Sequence, residues 1–325
     1  MRAWQVYRHG EPRAALRLVD IEVPEPGPGE VRLAVNAACL GLPDVFMCRG
    51  AYALTPPLPF VAGQEAAGVI TATGPGVDLP IGARAMGTTA FTSGRGGFAE
   101  QTIANARTVF TPSPSMSDPD AAAFYIAYHT AWIGLVRRGR VLPGEHLVVL
   151  GGSGGSGAAA IQLGKVLGAH VIATAGGPER GAFCRDQGAD VVIDHRTESV
   201  VDAIRAATHG HGADVIYDLV GGQIALDAMR AIAYEGRMLL VGFASGSWAS
   251  VSPIHVVGRN YSVVGVYAGG YSRAFLDYAQ DEMTRLFEEG RITTTVTRTV
   301  PFDQLPEALE ELSERSTLGR SVLVP

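Results

Sequence analysis

The segment Leu147-Val-Val-Leu-Gly151-Gly152-Ser153-Gly154-Gly155-Ser156-Gly157 constrains this chain more than any other. An apolar strand runs into it, and the helix-forming run Ala158-Ala-Ala-Ile-Gln-Leu-Gly-Lys165 leaves it. Gly152, Gly154 and Gly157 fill the GxGxxG spacing. In a strand–turn–helix unit such glycines permit a tight turn and bring backbone amides close to a pyrophosphate, which then faces the positive end of the helix. A second strand-like run, His170–Ala175, follows, and this order of elements is far more specific than the glycine spacing alone. Where NAD binds, an acid usually stands about 20 residues past the glycines to take the ribose 2′-hydroxyl. Here Thr174, Ala175, Gly176 and Gly177 stand there, and Arg180 follows. The missing carboxylate admits a 2′-phosphate, and Arg180 could pair with it. The expected cofactor is NADPH. The same turn also reads Gly151-x-Ser153-x-Gly155, a hydrolase-like elbow. Nothing in the sequence specifically supplies the later acid and histidine of a triad, and phosphate binding explains the glycines better.

Around this turn, strand-like and helical runs alternate. The strand-like runs are His146–Leu150, His170–Ala175, Val191–Asp194, 215–218, 238–242 and 262–266, with helical stretches such as 158–167 and 200–208 between them. Crossovers of this kind predict an α/β fold with a parallel, doubly wound sheet. The first third of the chain differs. Trp4-Gln-Val-Tyr7 and Glu30-Val-Arg-Leu-Ala-Val-Asn36 alternate apolar with polar residues, and Pro/Gly clusters separate short strands, as in a barrel-like β domain. Ser117 is a candidate helix cap before two acids. The tail predicts helices at 277–289 and 305–315, the latter capped by Asp303, then a strand at 321–324 that packs back onto the N-terminal domain.

With 325 residues the chain is long enough for two domains, and 47% hydrophobic against 18% charged residues excludes a disordered scaffold. A net charge of −6 argues against a general nucleic-acid binder. Cys39, Cys48 and Cys184 form no CxxC pair, which fits a reducing compartment. The N-terminus shows no apolar signal core, and the apolar stretch 121–136 is short for a span and carries His129. It reads as a buried helix. A cytoplasmic protein without membrane or nucleic-acid partners is expected.

Three further segments carry a family resemblance. They are Ala37-Ala-Cys-Leu-Gly-Leu-Pro-Asp-Val-Phe-Met-Cys-Arg-Gly-Ala-Tyr52, Pro57-Leu-Pro-Phe-Val-Ala-Gly-Gln-Glu-Ala-Ala-Gly68 and Ala127-Tyr-His-Thr-Ala-Trp132. With the glycine turn, and over essentially the whole chain, they resemble the medium-chain dehydrogenase/reductase superfamily, nearest its zinc-independent quinone oxidoreductase branch, the relatives of zeta-crystallin. The resemblance implies a GroES-like β-barrel domain at 1–122 and 266–325 and a Rossmann NADP-binding domain at 123–265, with nicotinamide in the cleft between domains. It also implies a homodimer joined through Rossmann edge strands, with 262–266 as the candidate edge.

Zinc-dependent relatives carry Gly-His-Glu where this chain has Gly63-Gln64-Glu65, and glutamine is a poor zinc ligand. Three scattered cysteines cannot build a four-cysteine zinc lobe. Cys39 lies on the substrate loop, but a buried small hydrophobe is the simpler reading. No metal is expected. By resemblance, Thr130 contacts the nicotinamide carboxamide and Tyr52 faces the acceptor, and these two are the catalytic candidates. The cofactor set adds Gly152, Ser153, Gly154, Gly155, Ser156, Gly157, Gly176, Arg180, His195 with Arg196, Val241, Gly242, Phe243, Ala244 and Arg315. The substrate pocket holds Gly41, Asp44, Tyr52 and Gln64. Gly41 departs from the family, which usually carries asparagine there, and this enlarges the pocket. Plainer readings stand beside these roles. Tyr52 could be a core tyrosine, and Thr130 could bond back to its own helix turn. The arginines could be solvated, His129 could be packed, and Asp218 could cap a turn.

The function so implied is NADPH-dependent, zinc-free hydride transfer to a quinone-type conjugated acceptor. The enzymatic alternative is reduction of an enone, 2-alkenal or enoyl thioester. The alternative of another class is a structural protein that binds NADPH without turnover.

Overall fold

The computed structural model describes residues 1–325 and divides into two compact units. The first comprises Met1–Ile126, Arg273–Glu288 and Thr294–Pro325; the second comprises Ala127–Ser272 and Glu289–Thr293.

The first unit is organised by the strand Glu30–Cys39. It pairs antiparallel with Glu65–Thr73 on one side and Gln101–Phe110 on the other. Arg84–Thr89 pairs with both of those strands and closes a four-stranded barrel. The alternation seen in the sequence places Val31, Leu33 and Val35 inward, and Ile70, Ala85, Ala104 and Val109 complete the core around the first two. The expected return of the C-terminus is present. Arg320–Val324 pairs antiparallel with the organising strand at Val322 opposite Cys39, and Val296–Pro301 adds in parallel beyond it. Asp303 does not cap the last helix. It lies inside the 3-10 turn Phe302–Gln304, and Leu305–Ser313 starts with Pro306 in its first turn and no side-chain cap. Proline needs no acceptor for an amide there, so the cap is dispensable.

One ion pair stands out in this unit. Arg320 pairs with Glu65, and their side chains are only 10% and 3% exposed. The second carboxylate oxygen of Glu65 accepts the Ile126 amide at 2.8 Å.

In the second unit the sheet is wholly parallel, in the order Val191–Asp194, His170–Ala175, His146–Leu150, Ala213–Asp218, Ile232–Leu240, Ser262–Gly265. Leu147, Val148, Val149 and Leu150 are all fully buried, as a central strand covered on both faces requires. Strand order reverses between His146–Leu150 and Ala213–Asp218, the switch point where open α/β sheets hold ligands beyond their carboxyl ends. The helix that opens at Asp118 is capped by Ser117, whose hydroxyl accepts the Asp120 amide at 3.2 Å. It ends at Trp132, and Ile133–Arg138 continues in the wider π winding, with Gly139 donating to the Gly134 carbonyl at 2.7 Å. No helix is long and apolar enough to cross a membrane.

Arg320→Leu is expected to destabilise the protein by about 3–5 kcal/mol, because it strands a buried carboxylate. Denaturant unfolding checks this, and Glu65→Gln combined with Arg320→Leu should recover part of the loss. A double variant no better than the single would deny the pair this role.

Candidate functional site

The carboxyl edge of the parallel sheet gathers the predicted cofactor residues of the second unit. The strand His146–Leu150 ends at Gly151, whose φ of 79° lies in the left-handed region. Gly151 donates to the Thr174 hydroxyl at 3.1 Å, and Gly152 donates to the Thr174 carbonyl at 3.0 Å. Thr174, which stands in the sequence where an acid was missing, therefore clamps the turn to the neighbouring strand. The helix Gly155–Val166 follows. Its first intrahelical bond is donated by Ala158 to Gly154 at 2.8 Å, which leaves the amides of Gly155, Ser156 and Gly157 at an open helix N-terminus. A methyl group at 157 would overlap the Gly151 carbonyl oxygen, so only glycine keeps the turn this tight. Ser153 hydrogen-bonds to no histidine or carboxylate, so the hydrolase-like pattern has no triad behind it.

Beside the turn, Gly176, His195 and Arg196 come together. A Cβ on Gly176 would lie 2.7 Å from Arg196 Nε and 3.2 Å from His195 Nε2. The Arg196 side chain makes no ion pair, and its amide bonds Asp194 Oδ1 at 3.0 Å. Arg180, on the helix Pro178–Asp186, is half-buried and also makes no ion pair. A depression here is lined by Ala175, Gly177, Pro178, Gly181, Arg185 and Asp194, among others.

Asp218, at the end of its strand, is fully buried. Its Oδ1 accepts the amides of Val220 and Gly221 at 2.9 and 2.8 Å, and its carbonyl accepts those of Val241 and Gly242 at 3.0 Å each. It is the turn cap of the plainer reading, and burial pushes its carboxyl up against those two side-chain bonds. Through it the segment carrying Val241, Gly242, Phe243 and Ala244 is held at the sheet edge. Thr130 is half-buried on its helix, and its hydroxyl bonds no carbonyl of its own turn. His129 is fully buried.

In the first unit, Gly41 precedes the helix Leu42–Cys48 and donates to Asp44 Oδ2 at 2.8 Å. Asp44 Oδ1 accepts the Gly63 amide at 3.1 Å. Asp44 thus ties the two substrate-loop motifs together and is 1% exposed. Gln64 is buried, and its Nε2 has no hydrogen-bond partner. Tyr52 is half-buried against the core that contains Val45, Met47 and Phe60. Arg315 follows the helix Leu305–Ser313 with a φ of 57°.

A catalytic zinc does not fit these residues. Burial pushes the Cys39 thiol up to about 11, and its sulfur donates to the carbonyls of Leu40 and Ser321. Glu65 is taken by Arg320, and Gln64 is a poor zinc ligand. No trio of metal-ligating side chains forms here.

Comparisons with known proteins agree with this architecture. Residues 27–114 match the alcohol dehydrogenase GroES-like domain family, and residues 155–288 match the zinc-binding dehydrogenase family. The chain is 32% identical over 302 residues to quinone oxidoreductase-like protein 2 of Rattus norvegicus, covering 91% of this chain and 85% of the relative. It is 31% identical over 303 residues to phthioceranic/hydroxyphthioceranic acid synthase of Mycobacterium tuberculosis, covering 92% of this chain but 14% of that protein. Among solved structures, Escherichia coli quinone oxidoreductase complexed with NADPH superposes with a TM-score of 0.92 at 26% identity, over 100% of both chains. A GroES-like barrel, a parallel Rossmann sheet and a glycine turn at its switch point define a medium-chain dehydrogenase/reductase. Within that superfamily the chain belongs to the quinone oxidoreductase branch.

Burial raises the Asp44 carboxyl to about 7, over the opposing amides of Gly41 and Gly63 and the charge of Arg320. Between about pH 4 and 7 the folded state then keeps a proton that the unfolded chain has lost. Stability should fall as pH rises through that window, by at most about 4 kcal/mol. Denaturant melts of wild type and Asp44→Asn at pH 5 and 8 check this. The variant, whatever its baseline, should lose the pH dependence, and parallel behaviour of the two proteins would count against it.

Proposed function

We propose that this chain is an NADPH-dependent, zinc-free oxidoreductase that reduces a quinone-type conjugated acceptor. The observation that carries the reading is the end of the second Rossmann strand. It has no acid, and the unpaired guanidinium of Arg196 lies over Gly176 beside the clamped glycine turn. When bound, NADPH supplies a hydride from C4 of its nicotinamide. The amides of Gly155, Ser156 and Gly157, with Ser153 and Gly154, hold the pyrophosphate. Arg196 and Arg180 take the 2′-phosphate. The Thr130 hydroxyl and the Val241–Ala244 backbone orient the carboxamide. On the acceptor side, the unpartnered Gln64 amide donates to a carbonyl oxygen, Tyr52 packs on the flat ring and Gly41 leaves room for it. Solvent supplies the proton that completes the hydroquinone. His195 completes the adenosine phosphate site. A homodimer through the sheet edge Ser262–Gly265 belongs to the same reading, as does a cytoplasmic location.

The second reading is an enoyl-thioester reductase. The match to part of an acid synthase favours it, because building a saturated acyl chain requires that reduction.

Nicotinamide oxidation by EDTA-treated protein tests both. Turnover of a quinone supports the first reading; turnover of an enoyl-CoA alone moves the protein to the second. NADPH binding without any turnover would leave a binding protein. Arg196→Ala is expected to weaken NADPH at least about tenfold, the scale of one charged hydrogen bond, and to spare NADH. Equal losses for both cofactors would remove Arg196 from the 2′-phosphate site. Gly41→Asn should change acceptor preference while leaving NADPH affinity in place, since a Cβ at 41 meets only Pro43 and Asp44 at 3.3 and 3.4 Å.

A further inference from the structure

The opposite, amino edge of the parallel sheet carries a cluster that the reductase reading does not use. His146 opens the strand His146–Leu150, Asp214 is the second residue of Ala213–Asp218, and these strands are neighbours with Val215 opposite Leu147. His211 sits in the turn just before Asp214. The ligating atoms of His146, His211 and Asp214 all lie within 4.8 Å of one another. Asp214 Oδ1 is 2.7 Å from His211 Nε2, and Oδ2 is 3.4 Å from His146 Nδ1. We propose that His146, His211 and Asp214 form a binding site for a late first-row divalent cation of the zinc class, separate from the cofactor site.

Two further observations point the same way. His146 Nδ1 is buried and makes no hydrogen bond, although its carboxylate neighbour is close. A buried ring nitrogen without a partner costs stability unless something occupies it. In addition, the His146 amide donates to Asp214 Oδ2 at 2.8 Å, an outer bond of the kind that orients a ligating carboxylate. Two imidazoles and one carboxylate suit zinc and its neighbours rather than calcium or magnesium, which prefer all-oxygen shells. His211 Nε2 and Asp214 Oδ1 are at hydrogen-bond distance, and a bound cation would take the place of that contact. Zinc needs ligand bonds of about 2.0–2.2 Å, so the ring of His211, 55% exposed and at the solvent end of the trio, has to move only slightly. Glu145 is committed to Arg237 through both oxygens, so the remaining coordination position falls to water. Five residue steps along the strand separate His146 from Gly151, roughly 16 Å at the rise of a parallel strand. The cation would therefore tie the 209–212 turn to the sheet without touching the nucleotide.

Titration of the full-length, EDTA-stripped protein with Zn2+, followed by calorimetry and by thermal melting, tests the site. One equivalent should bind and raise Tm. His211→Ala, whose exposed side chain makes misfolding unexpected, should weaken binding by on the order of 100-fold and abolish the Tm shift, with Tm in EDTA and NADPH affinity unchanged. Asp214→Asn should do the same to zinc, while His195→Ala should leave zinc binding intact. Co2+ should give a ligand-field spectrum without a thiolate charge-transfer band, because the three cysteines are buried elsewhere. Failure to bind Zn2+, or binding that survives His211→Ala, overturns the proposal.

Discussion

The pairing of Glu65 with Arg320 ties the C-terminal strand to the barrel of the first unit. Two charges removed from water would cost several kcal/mol each, and the cost is offset only when every oxygen finds a donor. Here one oxygen meets the guanidinium and the other meets the Ile126 amide. Around that pair, Cys39 lies opposite both Glu65 and Val322 in the sheet register. Gly41, Asp44 and Gln64 lie within a few positions of Cys39 and Glu65 along the chain, so their positions are set by the sheet rather than by the loops themselves. The same pairing leaves the Glu65 carboxylate neutralised by an arginine and accepting an amide, so it is committed to structure.

In the second unit the equivalent constraint is steric. The turn after the first strand is fixed by the overlap that any side chain at 157 would meet, and by the two bonds to Thr174. Helix and strand are thereby held together, with the amides of the first helical turn left without intrahelical partners. Asp218 performs the same task on its side of the switch point, holding one loop through its buried carboxyl and the next through its main-chain carbonyl. The polar groups left open by the first helical turn at this edge are backbone amides, and amides cannot change rotamer.

The features legible in the sequence are those with local causes. The glycine turn, the apolar central strands and the alternation of 30–36 all follow from neighbours in the chain. The return of the C-terminus was legible as well, because a tail too short to form a domain of its own has to pack onto one already present. The remainder depends on long-range order. Arg180 drew attention because it is near the turn in sequence, yet Arg196, on the next strand's exit, is the one found over Gly176. Arg320 gave no sign of its partner because 255 positions of chain separate it from Glu65. The π winding at Ile133–Arg138 breaks a helix that the apolar run made look continuous.

The histidine cluster shows the same limit from the other side. His146 and Asp214 become neighbours only because the strand order places the fourth strand beside the first. That reversal is what opens the ligand crevice at the carboxyl edge. It necessarily brings the amino ends of the same two strands together as well, at the far side of the sheet. Residues there are free of the nucleotide's demands, so a polar cluster can accumulate without disturbing the turn. A single topological feature thus creates two edges with different chemistry: backbone amides at one end, and imidazole and carboxylate side chains at the other.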